Sequence, residues 1–91
     1  MEYKPVLEIL ERIINDRTVP RNIREAVERA KNELNSKGEE ELKISNAIVM
    51  LDEISNDPNM PLYTRTQIWN AVSLLEQIKS KMKETSKKKK S

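Results

Sequence analysis

An all-α fold is predicted, and three observations predict it. Apolar residues recur at three- and four-residue spacing along nearly the whole chain. Alternating apolar-polar runs are almost absent; the continuous apolar run Ile48-Val49-Met50-Leu51 is the one stretch that could suggest a strand, and its flanks keep the helical period. Pro20, Pro58, Pro61 and the single glycine fall at the boundaries between the periodic segments.

The first helix is expected at about 3–15, where Val6, Ile9, Leu10, Ile13 and Ile14 form one face and Glu8, Glu11 and Arg12 the other. The second, at about 19–36, carries Ile23, Ala26, Val27, Ala30 and Leu34. Pro20 is expected in its first turn, because proline has no N–H to lose there, with Thr18 as a cap. Gly38 follows the stripe, where a left-handed C-cap uses a residue without a side chain. The third helix, at about 40–55, buries Ile44, Ala47, Ile48, Leu51 and Ile54, and Glu39, Glu40 and Glu41 suit its positive end. Pro58 closes it. The fourth, at about 60–83, opens at Pro61 with Asn59 as its cap and carries Ile68, Ala71, Val72, Leu75, Ile78 and Met82. Met50, Met60 and Met82 read as adaptable packing, and Trp69 as the core margin or a subunit contact.

The halves repeat. An offset of 41 residues superimposes Leu10 on Leu51, Ile13 on Ile54, Asn15-Asp16 on Asn56-Asp57, and Pro20 on Pro61. It also matches Arg24 with Arg65, Ala30 with Ala71 and Leu34 with Leu75. One helix–turn–helix unit is used twice, at a period within the range of HEAT-type repeats. Two such units are expected to pack as a four-helix bundle, or to stack further by dimerising. The domain is expected to span 1–83, followed by a Lys-rich flexible tail at 84–91.

Composition narrows the function. The chain has 91 residues, 17 Lys+Arg, 15 Asp+Glu, no Cys and no His. Disulfides, thiol nucleophiles, zinc ribbons and imidazole bases are excluded. One glycine is too few for a phosphate-cradling loop. Carboxylates at Asp52, Glu53, Asp57 and Glu39–Glu41 match no EF-hand loop in their spacing. No enzymatic activity, cofactor or metal is therefore expected. No apolar run approaches the roughly 20 residues that span a bilayer, and the N-terminus lacks a signal-peptide pattern. A cytoplasmic protein without a membrane partner is expected.

Charge is unevenly distributed. From Lys79 to Ser91 there are seven Lys and one Glu, whereas the first 78 residues hold ten basic and fourteen acidic side chains. Lys79, Lys81, Lys83, Lys87, Lys88, Lys89 and Lys90 are candidate contacts to nucleic-acid phosphate, with a solubilising tail as the plain alternative. Arg17, Arg21 and Arg24 surround the start of the second helix and suit bidentate phosphate contacts. Interleaved Glu25 and Glu28 can neutralise them. The repeated Asn-Asp, Pro, Arg pattern reads as a duplicated hairpin clasp in which Arg24 and Arg65 reach back to carboxylates or helix-ending carbonyls. A paired binding edge is the other reading.

The stretch Asp16-Arg17-Thr18-Val19-Pro20-Arg21-Asn22-Ile23-Arg24 resembles the signature of a small archaeal family, uncharacterised protein family 0147. So does Leu51-Asp52-Glu53-Ile54-Ser55-Asn56-Asp57-Pro58-Asn59-Met60-Pro61, followed by Thr64-Arg65 and Ile68-Trp69. The likeness covers about residues 5–78 and leaves out the Lys-rich end. It implies a compact helical fold in the archaeal cytoplasm and no particular activity. The function expected is a non-enzymatic binding module that associates with RNA or a ribonucleoprotein through its tail and arginines. The alternative is a protein–protein adaptor or self-associating scaffold, for which Leu7, Leu62 and Leu74 could supply a second apolar face.

Overall fold

A computed structural model describes residues 3–90 of the chain, with side chains as far as Met82. Four helices follow one another: α1 (Lys4–Ile14), α2 (Arg21–Asn35), α3 (Glu40–Ile54) and α4 (Leu62–Lys90). No strand occurs among the described residues. Short connections force consecutive helices to run antiparallel. Each helix packs on two others, α1 on α2 and α4, α3 on α2 and α4, so the bundle closes into a ring. The turns at 15–20 and 55–61 share one end; the loop at 36–39, the start of α1 and the later part of α4 share the other.

The predicted stripes become the core. Leu10, Ile13, Ile23, Leu34, Ile44, Leu51, Ile68 and Leu75 are fully buried, each contributing about 1.5–3 kcal/mol relative to an exposed side chain. Ile9, Ile14, Ile48, Ile54, Val72, Ile78 and Met82 lie partly buried against them. Met50 and Met60 pack as expected, the latter almost wholly buried. Leu7 and Leu74 also pack against this core, so of the three leucines considered for a second apolar face only Leu62 is free to form one. Tyr3 and Val19, outside the stripes, join the core too.

The boundaries differ from expectation in instructive ways. Pro20 is the N-cap of α2, with extended backbone, rather than a first-turn residue. Its carbonyl accepts the first helical bonds, from the N–H of Ile23 and of Arg24, both at 3.1 Å. Pro61 does the same for Arg65 at 3.0 Å. Thr18 does not cap; the Asp16 carboxylate accepts from its N–H at 2.9 Å and from its hydroxyl at 2.6 Å. Asn59 likewise donates its N–H to Asp57 at 2.8 Å. An Asp two residues earlier holds the turn better, because its carboxylate accepts locally before the helix begins. Gly38 has a φ of +149°, yet lies beyond the α2 cap. Ser36 makes that cap through its own N–H and hydroxyl, both donated to Glu33 O. Glu40 and Glu41 occupy the first turn of α3. The α4 backbone continues past the end expected near 83. The side chains of Lys83 and Lys87–Lys90, and all of Ser91, lie outside the described residues, so the flexible tail expected at 84–91 is described only by its backbone as far as Lys90.

Candidate functional site

The arginine candidates meet different fates. Arg24 is half-buried and donates Nε to Val19 O at 3.0 Å, so its guanidinium braces the turn from inside α2. Arg21 is 85% exposed and pairs with Glu25 one turn on, at 3.2 Å. Such an exposed pair contributes little, but it leaves the guanidinium a carboxylate neighbour. Arg17 is exposed on the turn and makes no hydrogen bond or ion pair among the described residues. Of the three, only Arg17 offers an unengaged fork. Asp16 sits beside it, and hydrogen bonds from the Thr18 side chain and backbone hold its carboxyl below the usual carboxylate range.

The second turn repeats the first and adds to it. Asp57 N–H donates to Ile54 O and Met60 N–H to Asp57 O, as Asp16 does to Ile13 and Val19 to Asp16. Arg65 reaches farther than Arg24, with Nε to Ser55 O at 2.9 Å and Nη2 to Asp57 O at 3.1 Å. Ser55 O is the C-cap carbonyl of α3, a helical acceptor left over, and Asp57 O lies in the turn, where it also accepts from Met60 N–H. Both arginines thus clasp carbonyls rather than the carboxylates. Asp57 also accepts from Asn22 Nδ2 at 3.0 Å, joining the second turn to the start of α2.

The lysines lie elsewhere. Lys79 is half-buried at an open groove of about 400 Å³ between α3 and α4, beside Ser45, Val49 and Glu76. Lys81 is exposed near Pro5 and Val6 at the start of α1. The arginines follow the opposite end of α1, whose 11 residues span about 16 Å at roughly 1.5 Å per residue. Arg17, Arg21 and Arg24 on one side and Lys79 and Lys81 on the other therefore form two separate basic regions. The side chains of Lys83, Lys87, Lys88, Lys89 and Lys90 lie outside the described residues.

A polar cluster that sequence reasoning missed closes the lysine end. Lys43 is 8% exposed. Its Nζ donates to Ser36 O at 3.1 Å, pairs with Glu40 at 3.2 Å, and stands 5.8 Å from the Tyr3 ring centre. The Tyr3 hydroxyl donates to Glu40. Burial first, then this hydrogen bond, pushes the Tyr3 pKa far above its ordinary value, while the bonds from Tyr3 and Lys43 hold Glu40 low. All its groups are engaged with one another, so the cluster fastens the start of α1 to α3 and presents no vacant chemistry.

The remaining feature is apolar. Leu62, Tyr63 and Trp69 are 73%, 69% and 53% exposed on the first turns of α4. Leu62 and Trp69 are seven residues apart and share a face. The other exposed residues from Leu62 to Ser73 are Thr66, Asn70 and Ser73. The one charged residue in that stretch, Arg65, is tied inward. Over a third of the chain is charged, yet this outward face carries none. That gap in the charge pattern was the available sequence signal. Leu42 and Val49 on α3 are also exposed. Among the described residues no cluster of acidic ligands could hold a metal ion, and no helix is long and apolar enough to cross a membrane.

Residues 2–78 match the model of an uncharacterised protein family, UPF0147. A UPF0147 protein of Methanocaldococcus jannaschii is 60% identical over 77 residues, covering 84% of this chain and 83% of its own length. One from Archaeoglobus fulgidus is 49% identical over 73 residues, covering 80% and 84%. The crystal structure of the unknown-function protein MMP1188 superposes with a TM-score of 0.79 at 52% identity, covering 81% of this chain and 85% of its own. That of a family protein from Thermoplasma acidophilum gives 0.78 at 34% identity, covering 82% and 89%.

Proposed function

The chain belongs to the uncharacterised protein family UPF0147, and we propose that it acts as a non-enzymatic helical adaptor that docks through the outward face of α4. One observation carries the reading. The exposed Leu62, Tyr63 and Trp69 form an uncharged face rich in large apolar side chains, on a chain of which over a third is charged. Aromatic anchors ringed by small polar residues are what protein interfaces enrich, and isolated charges at the centre are what they avoid. The test replaces Tyr63 with a photo-crosslinking residue. A discrete adduct that vanishes in a Trp69→Ser background supports the adaptor. Adducts at random, or none, count against it.

A second reading assigns RNA or ribonucleoprotein contact to the basic residues. Arg17, exposed and unengaged, and the run of lysines along the end of α4 favour it. Such contacts position a protein on phosphate without reading bases. Removing Lys87–Ser91 then lowers RNA affinity, with a log-salt slope shallower by about 0.7–0.9 for each phosphate no longer neutralised. An unchanged slope excludes it.

A further inference from the structure

We infer that the occupant of the α4 face is a second copy of this chain, seated antiparallel across a twofold axis near Thr66. The inference rests on the adaptor reading and names its partner. Three features carry it.

First, the face is compatible with itself. A twofold interface sets the same patch against its own copy, so any charge within it near the axis meets its like. Leu62, Tyr63, Thr66, Trp69, Asn70 and Ser73 bring none, and the Arg65 guanidinium is committed to Ser55 O and Asp57 O. The outward positions of α1 and α2, with Glu8, Arg12, Arg21, Glu28 and Arg29, lack this property.

Second, the spacing closes. In an antiparallel pair centred between positions 65 and 66, Leu62 lies opposite Trp69 of the partner subunit, and Trp69 opposite the partner's Leu62. The large ring thus meets a smaller aliphatic side chain twice, and neither ring faces its own copy.

Third, the area is adequate. At their exposures, Leu62, Tyr63 and Trp69 offer roughly 400 Å² per protomer, since large aromatic side chains carry about 150–250 Å² each. That is near half of the roughly 800 Å² per partner of a standard interface, with Thr66, Asn70, Ser73 and the intervening surface as the source of the rest.

The absence of native cysteine makes the geometry directly testable. Thr66 donates its hydroxyl only to Leu62 O, at 3.2 Å, so Thr66→Cys disturbs little. Close to the axis of two helices packed about 8–10 Å apart, it lies within disulfide reach of its copy. Glu28→Cys, exposed on α2, is the control. The expected result is a dimer at micromolar concentration whose sedimentation ignores salt, with Thr66→Cys oxidising to a covalent dimer far faster than Glu28→Cys. Trp69→Ser, with an unchanged helical spectrum, weakens the dimer at least about tenfold, as loss of an interface anchor does. A monomer throughout the micromolar range, or a dimer indifferent to Trp69→Ser with no preferential trapping at position 66, overturns the inference. If the monomer still gives a Trp69-dependent adduct with another protein through a probe at position 63, the adaptor reading survives alone. If it gives none, both fall.

Discussion

The turns at 15–20 and 55–61 are built from matching residues, and their backbones are held alike. In each, an Asp carboxylate accepts the N–H two residues on, its N–H returns to an Ile carbonyl, and a proline carbonyl starts the next helix. Their further bonds differ. Arg24 braces its turn through one carbonyl, Val19 O, whereas Arg65 holds two in its own, Ser55 O and Asp57 O. Asp57 holds Asn22 of the other hairpin, while Asp16 spends its second local bond on the Thr18 hydroxyl. Duplicated sequence thus reproduces the local turn faithfully. Contacts between the hairpins depend on partners that differ from one half to the other, and there the symmetry ends.

The sharpest way to break this comparison is in the core, where the halves should behave alike. Leu10→Ala and Leu51→Ala, both at fully buried matched positions, should each cost about 3 kcal/mol in chemical denaturation. A large inequality means the hairpins are not energetically equivalent. Next come the arginines. Arg65→Ala should cost about 2–3 kcal/mol, because it removes two bonds from a charged donor and leaves the Ser55 carbonyl unpaired, and Arg24→Ala about 1 kcal/mol. Equal losses erase the distinction between the turns. Smaller still is the bond between the hairpins: a double-mutant cycle on Asn22→Ala and Asp57→Ala should give a coupling of about 0.5–1 kcal/mol.

The last test is titration. Folding lowers the Asp16 pKa from its ordinary 3.8, so the folded state favours the carboxylate. Its stabilisation is complete above that ordinary value and disappears as pH falls through the lower folded one. Asp16→Asn should therefore flatten the acid limb of the stability curve below about pH 4 and lower neutral-pH stability only by the small amount that limb represents. An acid limb identical to the wild type removes Asp16 from the account.

Much of this was legible in the chain. Apart from the far end of α4, the helices begin and end close to where the prolines, Gly38 and the stripes place them, because backbone chemistry acts locally. Val19 and Met60 escaped the periodicity because they are buried from within turns, although their matched apolar character at an offset of 41 was a usable sign. Lys43 escaped because a lysine is read as solvated. It is buried because Ser36 O, Glu40 and the Tyr3 ring converge on it from three elements. The nucleic-acid candidates were grouped by residue type, and the bundle separates them by about a helix length, with Arg24 drawn into the clasp.

Periodicity, proline placement and the duplicated turn chemistry were enough to determine an all-helical, two-hairpin protein, since each acts over one or two helical turns. Which arginine is structural, which lysine is buried and which leucine stays exposed were decided only when the ring of four helices closed. Those outcomes depend on what stands opposite in space, and spacing along the chain does not carry that information.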